Sequence, residues 1–116
     1  MKITEIKTAE VPIIVDGRRR YLYHYVRIYT DQGIYGTGEA SHVDGGWRGS
    51  TQTMAQQLIG QDPRDVDACF EGIRRSYIFR GGMAGLGISA LTGLEIALWD
   101  LAGKAHQHEG PADAQN

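Results

Sequence analysis

Two polar segments of this chain gather side chains able to hold a ligand, and no segment gathers the set needed to carry out a reaction. Asp16-Gly-Arg-Arg-Arg20 places Asp16 and three consecutive guanidinium groups, Arg18, Arg19 and Arg20, in one short stretch. A guanidinium is a rigid fork of N–H donors that matches carboxylate and phosphate oxygens, so this polar loop reads as a solvated hairpin tip or as an anion-binding lid. Composition alone favours the tip. Ser41 to Gly49 carries His42, Asp44, Trp47 and Arg48 among three glycines. An aromatic beside charged groups on a glycine-rich loop suits a lid over a polar ligand, and suits an ordinary surface loop equally well.

Other candidate reactive groups have plainer explanations. Cys69 lies among Val66, Phe70 and Ile73 at helical spacing, which makes it a packing residue rather than a nucleophile. Asp62, Asp65 and Asp67 fall where a helix begins, and capping plus the helix dipole accounts for them. His24 sits on the apolar side of a strand and reads as a hydrogen-bonded core histidine, while Glu39 near a strand end reads as a hydrogen-bonding carboxylate. His106, His108 and Glu109 lack a rigid element or further ligand for a metal. Gly85, Gly87 and Ala90 spell a GxGxxA, but no strand leads into it and no βαβ unit follows, so a dinucleotide turn is set aside. Arg80 reads as an interface ion-pair partner in preference to a substrate contact.

The elements that must position these residues follow from periodicity. Lys2 to Ile14 is rich in Ile, Val and Thr and contains Pro12, which suits an edge strand; the parities of Ile3 and Ile6 disagree, which calls for a bulge or a different neighbour. Tyr21 to Thr30 alternates, with Leu22, His24, Val26 and Ile28 on one side and Tyr21, Tyr23, Tyr25 and Tyr29 on the other. The turn Thr30-Asp-Gln-Gly33 leads into a strand over Ile34 to Ala40, whose Gly36, Gly38 and Ala40 let a backbone approach closely. A first helix is expected from a cap at Ser50 or Thr51, through Met54, Ala55, Leu58 and Ile59, to Gly60. A second is expected to start at Asp62-Pro63 and end near Tyr77. The third, Gly85 to Ala105 with Ser89 as cap, repeats Leu91, Leu94, Leu98, Leu101 and Ala105 on one side and Ile88, Ile96 and Trp99 on another, a pattern built to be buried. The expected fold class is α+β, a three-stranded antiparallel meander followed by three helices over residues 1–105, with 106–116 a frayed polar tail.

At 116 residues there is room for one modest core. A net charge of −2 argues against a nucleic-acid footprint, and no run approaches the ~18 apolar residues of a membrane span. The N-terminus lacks a signal pattern, so a cytoplasmic location is expected.

The run Ser89 to Ala105, SALTGLEIALWDLAGKA, resembles the last helix of the N-terminal capping domain in the mandelate racemase and muconate lactonizing branch of the enolase superfamily. Phe79-Arg-Gly-Gly82 is similar to the acid-sugar dehydratases of that branch, those like galactonate dehydratase in particular, and the likeness extends through Tyr29 to Ala40 and Leu58 to Pro63. The resemblance implies that the two polar segments close over the mouth of a catalytic barrel and select the substrate. It also implies Mg²⁺ held by barrel carboxylates, and a barrel Lys or His that removes the proton next to a substrate carboxylate. A (β/α)₈ barrel takes about 250 residues, so catalytic residues, metal ligands and cofactor are expected to lie outside this chain, which alone is expected to be inactive. The implied partners are an acid-sugar carboxylate, the barrel and like subunits in a homo-oligomer, with no nucleic acid and no membrane. The rival reading is a stand-alone oligomerising or binding module that keeps the capping fold.

Overall fold

The computed structural model describes residues 1–40, 47–79 and 86–109, with side-chain surroundings at all of these except 19–22, 40, 47–50, 76–79, 86–90 and 108–109. Three strands, β1 (Ile3–Val15), β2 (Arg18–Thr30) and β3 (Tyr35–Ala40), precede three helices, α1 (Trp47–Ala55), α2 (Val66–Phe79) and α3 (Leu86–Glu109). The strands form one antiparallel meander in the order β1-β2-β3, giving the expected α+β architecture.

The parity conflict in β1 is resolved by a bulge. Ile3 pairs with Thr30 but Glu5 pairs with Tyr29, so one extra residue lets Ile3 and Ile6 both turn inward, at 1% and 8% exposure. Val26 and Ile28 on β2 share that inner face, with His24, and meet Met54 and Ala55 of α1, Cys69 and Ile73 of α2, and Leu91, Leu94, Leu98 and Leu101 of α3. Gly36 and Gly38 let α3 lie directly on β3. A Cβ on Gly36 would run into the Ala97 carbonyl oxygen and lie 2.7 Å from Leu101 Cβ; one on Gly38 would run into the Gly93 carbonyl oxygen and lie 2.8 Å from the Ala97 nitrogen.

Several boundaries differ from the sequence expectation, each for a visible reason. Asp16 and Gly17 have φ of 53° and 74°, the signature of a two-residue type I′ turn whose twist suits the strands. Pairing therefore resumes at once, and Arg18, Arg19 and Arg20 belong to β2 instead of a loop. α1 opens at Trp47, so neither Ser50 nor Thr51 caps it, and Thr51 is wholly buried within it. It stops at Ala55 because the next residues are stitched to β1: the Gly60 amide donates to the Ile3 carbonyl at 2.8 Å and the Ile3 amide to the Gln61 carbonyl at 2.9 Å. Leu58 is buried on this turn, whereas Ile59 is left 45% exposed.

The α2 N-cap is Asp65, whose Oδ1 accepts from the Ala68 amide at 3.2 Å, because Asp62 is already engaged with Arg64. α3 begins at Leu86, which puts Ser89 inside its first turn, and it runs on through Glu109. Ala105 is fully buried and the first stop signal is Gly110-Pro111, so His106 to Glu109 continue the helix instead of starting a tail. The Leu91-Leu94-Leu98-Leu101 stripe is buried as expected, but Ile96 and Trp99 stay 47% and 58% exposed.

The outer edges of the sheet are also closed. Asp100 accepts from the Thr37 amide at 2.9 Å, Lys104 donates to the Tyr35 carbonyl at 2.9 Å, and the two side chains pair at 3.2 Å, so α3 caps the free edge of β3. On β1, Gln52 donates to the outward Ile6 carbonyl at 3.4 Å. Pro12 shares the parity of Ile6 with no bulge between them, so its missing N–H falls on the outer edge, where a strand tolerates it.

Candidate substrate-selecting end of the sheet

β3 ends at Ala40, opposite His24 of β2, and beyond that level β1 and β2 continue, alone among the described residues, as a two-stranded arm. From His24 to Arg18 is six residues, so the Asp16-Gly17 tip stands about 20 Å past the end of β3 at ~3.3 Å per residue. Val11, Ile13, Ile14 and Val15 are between 37% and 65% exposed on this arm. They include both parities, so both faces of the arm are uncovered among the described residues.

Arg18 pairs with Val15 and Arg19 with Ile14, while a register shift between Ile13 and Ile14 leaves Arg20 as the extra residue before Tyr21. Arg18 is exposed, as is Asp16 in the turn. A guanidinium is a rigid fork of N–H donors that matches carboxylate oxygens.

The second polar segment leaves the same end of the sheet. It departs from Ala40 and returns at Trp47, with Trp47 and Arg48 in the first turn of α1 instead of the expected loop. His42 and Asp44 lie outside the described residues, as does Arg80. α3 runs antiparallel to β3, with Gly93 against Gly38 and Leu101 against Gly36, so its N-terminus also points to this end. The topology thus brings the Asp16 to Arg20 turn and the flanks of 41–46 to one side of the domain.

At the root of the arm, Glu10 pairs with His24 across the strands, and Glu10 Oε1 lies 3.9 Å from His24 Nε2. His24 is 2% exposed, the buried position expected from its parity. The remaining candidates are structural. Burial, aided by Asp65 and Asp62, pushes the Cys69 thiol up to about 11, away from the thiolate that a nucleophile needs. Asp62 is held low, at about 2, chiefly by its hydrogen bonds from Arg64. Among the described residues no three His, Cys, Asp or Glu side chains converge as a metal site, so these residues do not fit a Mg²⁺ centre. No helix among them is long and apolar enough to cross a membrane.

The contacts of Asp100 and Lys104 with β3 were not legible as such. The i,i+4 spacing announced only their mutual pairing.

The "Mandelate racemase / muconate lactonizing enzyme, N-terminal domain" profile matches residues 3–109. D-xylonate dehydratase from Haloferax volcanii is 40% identical over 89% of this chain and 23% of its own length. D-galactonate dehydratase from Verminephrobacter eiseniae is 36% identical over 90% of this chain and 25% of its own. The crystal structure of a mandelate racemase/muconate lactonizing enzyme-like protein from Rubrobacter xylanophilus superposes with a TM-score of 0.76 at 40% identity, covering 90% of this chain and 25% of that one. The chain therefore spans about a quarter of the length of the curated relatives it matches.

Proposed function

The chain belongs to the mandelate racemase and muconate lactonizing enzyme N-terminal domain family, and from that membership we propose that it is the substrate-selecting cap of a Mg²⁺-dependent acid-sugar dehydratase. The observation that carries this reading is the arm: a ribbon extending about 20 Å past β3, tipped by Asp16 and Arg18 to Arg20, beside the departure point of 41–46. In the working enzyme the arginines contact the polar groups of an aldonate, and the 41–48 segment with His42, Asp44, Trp47 and Arg48 closes beside them and excludes water. Mg²⁺, when bound elsewhere in the enzyme, stabilises charge that develops on the substrate carboxylate. Among the described residues no three His, Cys, Asp or Glu side chains come together to hold it, and in this reading the part played by this chain is to bind, orient and discriminate. The exposed Ile96 and Trp99 strip of α3 is the surface that meets the barrel.

Calorimetry with Mg²⁺ and a deuterium-exchange assay over a panel of aldonic acids test this division of labour on the 116-residue chain. The expected result is no specific metal binding and no exchange next to the carboxylate. Metal binding at millimolar or tighter affinity, or exchange abolished by one substitution, would place chemistry in this chain and sink the reading.

A further inference from the structure

Charge is distributed unevenly along this chain. Its net charge is −2, yet Asp16 to Arg20 sets three arginines against one aspartate and so holds +2 at the tip of the arm. The 41–48 segment leaves that surplus unchanged, since Asp44 and Arg48 cancel. No acid of the sheet offsets it at close range. Glu10 and Glu39 lie opposite His24 and Tyr25, six and seven residues along β2 from Arg18, which is about 20 Å at ~3.3 Å per residue and well beyond a Debye length of about 8 Å. Among the described residues the side chains of Asp16 and Arg18 enter no hydrogen bond or ion pair, whereas Arg27 lies over Tyr35, and Arg64 and Arg74 are held by Asp62 and Glu71. The N-terminus of α3, pointing to the same end of the sheet, adds partial positive charge there.

In the proposed function the reacting carboxylate of the substrate is bound outside this chain, so the arm meets a different part of the molecule. Charge decides what that part is. When water leaves a closing site, a guanidinium that faces only hydroxyl groups keeps its hydrogen bonds but loses the solvation of its charge, with no opposite charge in return. Facing a carboxylate or a phosphate, it gains a bidentate, charge-assisted pair that fits its fork. One aspartate is too little for three guanidinium groups. A plain aldonate ends in a primary alcohol and leaves the surplus unmatched, whereas the same acid oxidised to a second carboxylate, or phosphorylated at that end, supplies the missing negative charge.

We infer that the substrate is an acid sugar with an anionic group at both ends, the far one seated on Arg18 to Arg20. The inference rests on the proposed role of the arm as substrate selector. Galactonate, galactarate and galactonate 6-phosphate differ only at C6, as alcohol, carboxylate and phosphate, and so form the test set. Their kcat/KM values are compared in a D-galactonate dehydratase, in a chimera that carries this chain in place of its N-terminal domain, and in that chimera with Arg18→Gln, Arg19→Gln and Arg20→Gln together. The expected result is that the ratio of galactarate or of the phosphate to galactonate rises roughly tenfold or more from parent to chimera, the scale of one charged hydrogen bond, and falls back in the triple variant. Whichever ratio rises names the far group. Added salt should shrink the gain, and Arg→Lys at the three positions should keep only part of it, since an ammonium holds the charge without the fork. Calorimetry of the Mg²⁺-loaded chimera with the same three acids reads the ratios from Kd, independently of turnover. Ratios equal to those of the parent by both readouts would overturn the inference; if selectivity among plain aldonates still shifts, the arm selects by other means and the proposed function stands. A triple variant that weakens all three acids equally would place the arginines on the barrel instead of the substrate and overturn it as well.

Discussion

Single residues show where the sequence was sufficient and where it was not. The alternation of small residues at Gly36 and Gly38 was legible as a close approach, and the structure names the partners as Gly93, Ala97 and Leu101 of α3. Gly38→Ala should therefore lower stability by ~1–3 kcal/mol through overpacking against rigid backbone. Gly72, in the middle of α2 with nothing near its missing Cβ, should do the opposite: Gly72→Ala should stabilise by about 0.5–1 kcal/mol, both changes being read from urea midpoints. What the sequence did not reveal is how Asp62 is used. It looked like a helix cap, but its carboxylate is taken by the neighbouring Arg64, and Asp65 caps instead. Because the folded-state pKa of Asp62 is depressed to about 2, its contribution is present above the unfolded value of about 3.9 and fades as pH falls through 2. Arg64→Ala should lower stability slightly near neutrality and leave it unchanged below about pH 2, which flattens the profile between roughly pH 4 and pH 2; the effect is small because the Asp62 side chain is 40% exposed. Cys69, its thiol raised to about 11 by burial, should resist thiol reagents at pH 8 until the chain unfolds; rapid labelling of the native protein would contradict its packing role.

At the scale of elements, the period of the pattern was readable and the boundaries were not. Parity in β2 correctly separated His24, Val26 and Ile28 from the tyrosines, because period-2 alternation is a local property of the chain. α1 ends early for a reason that sequence proximity cannot carry, its following turn being hydrogen-bonded to Ile3, more than fifty positions away. α3 begins before Ser89 and extends past Ala105 because nothing in its sequence stops it before Gly110. The Asp100 and Lys104 pair is the most consequential element-level contact, since it joins α3 to the free edge of β3 with two hydrogen bonds of 2.9 Å. Asp100→Ala should cost on the order of 1–2 kcal/mol, because the Thr37 amide loses its acceptor. Lys104→Met should cost less, since the Tyr35 carbonyl can turn to water, and thermal melts of the two variants should rank in that order.

For the whole molecule, family and fold class were legible because the long helix and the glycine-spaced third strand are specific over most of the chain, and the profile match over residues 3–109 agrees. The arm was not legible. The end of β3 at Ala40 was read from the sequence, but Asp16 to Arg20 was read as a loop, so only the structure shows Arg18 to Arg20 carried on a paired ribbon beyond β3. That ribbon is the basis for reading this chain as the part that chooses the substrate while chemistry happens elsewhere. A chimera tests the claim most directly: this chain in place of the N-terminal domain of a D-galactonate dehydratase, assayed as kcat/KM over a panel of aldonates, with and without Ala at Arg18, Arg19 and Arg20. The account predicts that relative kcat/KM among the aldonates shifts by roughly tenfold or more, the scale of one well-placed polar contact, that the triple substitution moves it back, and that the isotope effect on proton removal is unchanged. A chimera with the selectivity of its parent, indifferent to the three arginines, would contradict it.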